Sequence, residues 1–313
     1  MALWNATRRI LAATSMLAIA ALTAQAGIVE DVRAQVGQNS YSAAESELRD
    51  YRAKHGVTPE YVEACSWVAR GAAAMKQWSQ ASNYARETRT LSEQLLLKQK
   101  LDSEPHLPIA LGAAYEVQAQ ALAETGKRTQ AVALLRAALA KYGNTSIRAR
   151  LQKNLNLISL VGQPAPALQA TEYLGAKPPT LTSLKGSPVL LFFWAHWCGD
   201  CKAEVPIIAR LKQEFSSSGL VVIGPTQFYG YAAQGNDATP VQEQAYIESV
   251  RQRYYASLPD MPVPLSQQNF NTYGASTTPT LVLLNRAGQV AMYHPGAMPY
   301  EELRAELQKA ATR

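Results

Sequence analysis

Cysteine is scarce, with three in 313 residues, and histidine is hardly commoner at four. That count excludes a disulfide-rich scaffold. A structural zinc site wants about four thiolate or imidazole ligands at close spacing. Beyond the neighbours Cys198 and Cys201 there remain only Cys65, His55, His106, His196 and His294, scattered along the chain, so no metal is expected. Charged residues make up 17% and the formal net charge is +6. No block of lysine and arginine interleaved with aromatics stands out, and nucleic-acid binding is not expected. After residue 26 no stretch approaches the roughly 20 apolar residues of a membrane-spanning helix.

What is present begins with an export signal over residues 1–26. Arg8 and Arg9 precede an apolar stretch from Ile10 to Ala21, and Ala24-Gln25-Ala26 has the small-x-small pattern of a cleavage site. Maturation is expected before Gly27, which would leave 28 basic against 24 acidic residues, because the segment carries two arginines and no acid. No cysteine follows the site to take a lipid. The protein is expected to be exported, to a periplasmic or other extracytoplasmic space, or to stay membrane-anchored if the signal is not cleaved.

The remainder has two grammars. Residues 27–160 are rich in alanine, leucine, glutamine and arginine with apolar spacings of three and four, which predicts helices. Candidates run Tyr41 to Lys54, Glu60 to Lys76, Ser79 to Lys98, Leu107 to Glu124, Thr129 to Tyr142 and Ser146 to Ser159, punctuated by Gly56, Pro59, Pro105, Pro108, Gly126 and Gly143. Tyr115 to Gly143 resembles a tetratricopeptide hairpin, with Ala119, Ala131 and Ala138 where the helices approach and Leu135 in the seam. A weaker echo places Ala81 and Ala85 likewise, but 50 residues separate Ala81 from Ala131, so the repeat is degenerate.

Val161 to Pro188 is dense in proline and glycine and marks a boundary. Residues 161–313 then read as strand (189–194), helix (200–216), strand (220–225), helix (241–255), strand (280–285), hairpin (288–296) and helix (300–311). That order implies a layered α/β sandwich.

Cys198-Gly199-Asp200-Cys201 lies where a buried strand gives way to a helix. A staple closing so short a loop gains little chain entropy. A thiol at a helix start, by contrast, meets free N–H groups and the positive end of the macrodipole, which favour its thiolate. Cys201, one turn on, faces the same side and can close the disulfide. A working redox pair is therefore the expected role.

"FFWAHWCGDC", with Trp197 before the first cysteine, Pro206 five residues after the second and "STTPTLVLL" 78 residues downstream, resembles the thioredoxin fold, and more narrowly the exported TlpA-like and ResA-like thiol-disulfide oxidoreductases. The resemblance covers roughly Val161 to Arg313. It implies that Pro279 is cis and lies against the disulfide, that Thr278 pairs with the substrate backbone, and that Trp197 joins them in substrate binding. It implies no cofactor other than the Cys198–Cys201 disulfide. Peroxiredoxin chemistry would want threonine and proline where Ala195 and Leu191 stand.

Gly199 and Asp200 tune the pair. A carboxylate beside Cys198 opposes its thiolate, which predicts a relatively reducing couple. Thioredoxins carry a buried acid six residues before the first cysteine, where this chain has Phe192; ResA-like members use a glutamate matching Glu204, which on a helix shares a face with Cys201 and is expected to take its proton. Lys202 and His196 read as exposed neighbours, Cys65 as a buried free thiol, and residues 224–240 as either a substrate lip or a surface insertion.

The fold expected is an α/β thioredoxin-like sandwich preceded by an all-α helical-hairpin domain of tetratricopeptide type. The activity expected is disulfide reduction or exchange in client proteins, with an external thiol reductant, in this family usually in the membrane, restoring the dithiol. The alternative is a helical binding module with the thioredoxin-like part as scaffold. The helical half would recruit clients or pair two copies as a homodimer.

Overall fold

A computed structural model describes residues 27–312, so the export segment expected over residues 1–26 lies outside the described residues. Seven helices come first: α1 (Ile28–Gly37), α2 (Tyr41–His55), α3 (Pro59–Ala74), α4 (Trp78–Leu95), α5 (His106–Glu124), α6 (Arg128–Tyr142) and α7 (Arg148–Ser159). Their starts follow local chemistry. Thr58 caps α3, its hydroxyl accepting the Tyr61 N–H, and Pro59 fills the first turn, where no amide partner is lost. Small residues set the spacing: Ala69, Ala72, Ala81 and Ala85 are fully buried with Val117 where α3, α4 and α5 meet, and Ala119, Ala131, Leu135 and Ala138 fill the α5–α6 seam.

Helix α1 was not among the sequence candidates. Val32 is fully buried and Ile28 and Val29 nearly so, in one cluster with Tyr61, Val62 and Val68 of α3. A ten-residue helix has little stability of its own and exists through that packing.

The second half contains β1 (Tyr173–Leu174), β2 (Val189–Phe193), α8 (Gly199–Glu214), β3 (Val221–Ile223), α9 (Pro240–Tyr254), β4 (Val263–Pro264), α10 (Gln267–Tyr273), β5 (Thr280–Leu284), β6 (Val290–Pro295) and α11 (Tyr300–Thr312). The main sheet runs β3-β2-β5-β6, with β2 parallel to β3 and the other pairs antiparallel, while β1 and β4 form a separate two-stranded ladder. Every residue of β2 and β5 is buried, as befits strands covered on both faces. Leu190, Phe192, Leu281 and Leu283 face α8, α9 and α11; Val189, Leu191, Phe193 and Val282 face α10 and the end of α7.

Neither α10 nor the β1–β4 ladder was expected. Helix α10 is only seven residues long and reads as polar, "QQNFNTY"; Asn269, Phe270 and Tyr273 alone point inward. It also joins the halves. Gly274, in the left-handed conformation at φ 62°, closes α10 so near to α7 that a Cβ there would stand 2.2 Å from the Lys153 amide nitrogen.

Candidate active site

Strand β2 ends at Phe193, and Trp194 turns out of the sheet, donating its N–H to the Pro225 carbonyl at 3.1 Å and its indole N–H to Gly224 at 2.9 Å. The chain so anchored delivers Cys198 to the N-cap of α8. There its Sγ accepts the Cys201 N–H at 3.0 Å, the interaction that would hold a thiolate at this sulfur. Cys198 and Cys201 form a disulfide, with 5.3 Å between Cα atoms. Both are buried, whereas Trp197 is half exposed beside them. Gly199 and Asp200 are exposed in the first turn of α8, and Pro206 lies exposed within the same helix.

Register accounts for the downstream motif. Phe193 pairs with Thr280 across the β2–β5 ladder, so the residues just before β5 emerge at the same sheet end as the cysteine loop. The Thr278–Pro279 peptide is cis, and Thr278 and Trp197 line one cleft. The resemblance implied that Trp197 and Thr278 come together, and strand pairing is what brings them there across the sequence separation.

Glu204 is buried one turn beyond Cys201 on α8, accepting the Met298 N–H at 3.3 and 3.4 Å. Burial raises its carboxyl above the usual carboxylate range, with Asp200 adding to the shift and the Met298 amide opposing it. Cys65 is buried, and loss of hydration pushes its thiol up to about 12, a group kept protonated. Among the described residues no cluster of three or more metal-type side chains occurs.

His196 corrects the expectation of an exposed neighbour. It is 1% exposed, with Nε2 3.2 Å from Oε1 of Glu243, itself 1% exposed. Tyr229, Tyr231 and Tyr246 stand edge-on around its ring, with centroids 5.2 to 5.4 Å away. Burial lowers the histidine, Glu243 opposes that shift, and Lys202 reinforces it. Lys202 is half-buried, its ammonium 4.7 Å from the Tyr254 ring centroid. Glu243 also accepts the backbone N–H groups of Tyr229 at 2.6 Å and Gly230 at 2.8 Å. The loop after β3 is thereby held down, with Tyr229 edge-on to Trp197 at 5.7 Å. Sequence reasoning missed Glu243, which reads as one more acid on a polar helix; the three tyrosines near it were the only signal.

Residues 180–311 match the family model of the thioredoxin-like domain. The chain is similar to the thiol-disulfide oxidoreductase ResA of Bacillus thuringiensis, 28% identical over 149 residues that make up 48% of this chain and 78% of that protein. It is similar to the same degree to the thioredoxin-like protein YneN of Bacillus subtilis, over 47% of this chain and 78% of that one. Among solved structures, a putative thiol:disulfide interchange protein DsbE from Chlorobium tepidum is 24% identical, covering 48% of this chain and 97% of that chain at a TM-score of 0.38. The C-terminal half of the chain is a thioredoxin-like domain, homologous to thiol-disulfide oxidoreductases.

Proposed function

We propose that this thioredoxin-like domain makes the chain an exported thiol-disulfide oxidoreductase that reduces or exchanges disulfides in client proteins. The observation that carries the reading is the Cys198 sulfur at the N-cap of α8, receiving the Cys201 amide. In the reduced enzyme the Cys198 thiolate attacks one sulfur of a client disulfide. A Cys198–client bond forms, the client S–S bond breaks, and the departing client sulfur leaves as thiolate. Cys201 gives its proton to Glu204 and attacks Cys198 Sγ, closing the enzyme disulfide and releasing the second client thiolate. Two electrons pass to the client. An external thiol reductant must return two to restore the dithiol.

In this reading Trp197 and Thr278, which line one cleft, bind the client segment together with Pro279. Asp200, an exposed negative charge in the first turn, works against the Cys198 thiolate and favours a reducing couple. The domain division proposed is a helical unit of tetratricopeptide type at 27–160 and the redox unit at 161–313. Export rests on the signal pattern of residues 1–26. Among the described residues no helix is long and apolar enough to cross a membrane.

The test is to replace Cys201 by serine, express the chain in its own host and search for covalent adducts through Cys198. Clients trapped as dithiothreitol-sensitive mixed disulfides are expected. A bare monomer would favour instead a helical binding module with an idle redox fold.

A further inference from the structure

Between the two halves of the chain, on the side where Trp197 precedes Cys198, opens a cleft of about 330 Å³, within the range of roughly 300 to 1,000 Å³ typical of binding sites. Trp197, Gln227, Tyr229 and Thr278 form its redox wall. The opposite wall is the turn at 145–149 that leads into α7, where Arg148 stands. That wall is fixed in place. Gly274 backs onto Lys153 with no room for a side chain, the Asn156 amide reaches the Thr272 carbonyl at 3.4 Å, and Leu160 joins the cluster beneath the sheet.

Two observations say what the cleft receives. Among the described residues Arg148 is the one charged group lining it, and no carboxylate does. Arg148 spends one guanidinium nitrogen on the Gly143 carbonyl at 2.9 Å. Its Nε, the Gln227 Oε1 and the Thr278 Oγ1 are all buried without a hydrogen-bond partner. Buried polar atoms without partners are rare in folded proteins. Here a donor, an acceptor and a hydroxyl of that kind belong to residues lining one cleft, shared with Trp197, the residue before the reactive cysteine. An extended polypeptide supplies the carbonyls and amides to match.

We propose that this cleft seats the client segment flanking its target cysteine, and that Arg148, contributed by the helical half, selects segments carrying an acidic side chain there. The inference rests on the oxidoreductase reading above. It gives the helical half a definite task, as the second wall of the client site. Arg148 acts as a specificity-determining residue and has no part in the sulfur chemistry.

The experiment measures second-order rates of the reduced full chain with two peptide disulfides, identical except that aspartate or lysine flanks each cysteine. Wild type is expected to react about tenfold faster with the aspartate form, the discrimination of one well-placed charge. Arg148→Glu should invert the ratio, and Arg148→Gln, which keeps length and a donor, should bring it near one. Arg136→Glu, the same charge change at an exposed site on α6, should keep the wild-type ratio. Equal rates in wild type, a ratio retained in Arg148→Glu, or an equal shift in Arg136→Glu would overturn the proposal. The uncharged 2,2′-dipyridyl disulfide separates the two readings. Wild type inert toward it loses the redox assignment and this one together, whereas wild type that reduces it but ignores flanking charge loses the cleft alone.

Discussion

The Glu243 carboxylate stands 3.2 Å from Nε2 of His196, both in the interior, and joins a residue two positions before the reactive cysteine to one 47 residues further along the chain. It also takes the amides of Tyr229 and Gly230, so one side chain ties α9, the loop after β3 and the approach to Cys198 together. Burying a charge is tolerated only when its hydrogen bonds are met, and here the two amides and the imidazole meet them.

Glu243→Gln keeps one acceptor oxygen but turns an NH₂ group toward a backbone N–H. Leaving that amide buried and unpaired should cost about 1–3 kcal/mol. Urea unfolding of the oxidised protein checks this, with a lowered midpoint at unchanged slope expected. An unmoved midpoint would mean that the loop is held by its aromatic packing alone.

Glu204 gives a pH dependence with a definite sign. Burial raises its carboxyl above the ordinary value of an exposed glutamate, so between the ordinary and the raised value the folded chain binds more protons than the unfolded one. This group's contribution to stability is therefore full below the ordinary carboxylate value and is lost as pH rises through the folded value. Glu204→Gln has no such titration. The stability of the variant relative to wild type should hold constant above the raised value and fall as pH is lowered from it toward the ordinary carboxylate range, and a difference independent of pH across the acid range would refute the assignment.

Asp200 is exposed beside the attacking sulfur. In the fully reduced protein at neutral pH, Asp200→Asn should speed alkylation of Cys198 by iodoacetamide about two- to threefold, the scale of an exposed charge pair. The gain should fade in 1 M salt, where the screening length is about 3 Å. A rate unchanged at low salt would remove Asp200 as a tuning residue.

Gly274→Ala places a methyl group against the Lys153 backbone in a left-handed conformation. Overpacking and backbone strain should together cost about 1–3 kcal/mol. Thermal melts should show it, and proteolysis of the irregular segment at 165–170 should quicken as the halves part. A protein that melts and resists cleavage like wild type would show that the junction yields more easily than its geometry implies.

Local pattern alone determined the redox pair, the apolar strands, the helix that follows the cysteines and most of the first seven helices. Each of these is written in contiguous residues: an apolar run, a periodicity, a turn residue, a cysteine spacing. Glu204 was picked out by the resemblance to ResA-like proteins, and one helical turn fixes its face relative to Cys201. Helices α1 and α10 escaped because each is short and stable only against a neighbour. The burial of His196 with Glu243, and the meeting of Arg148 with Trp197 and Thr278, belong to tertiary structure. Polar side chains carry no local signal of burial, and whether they become anchor, wall or surface is settled when distant segments pack and take their water away.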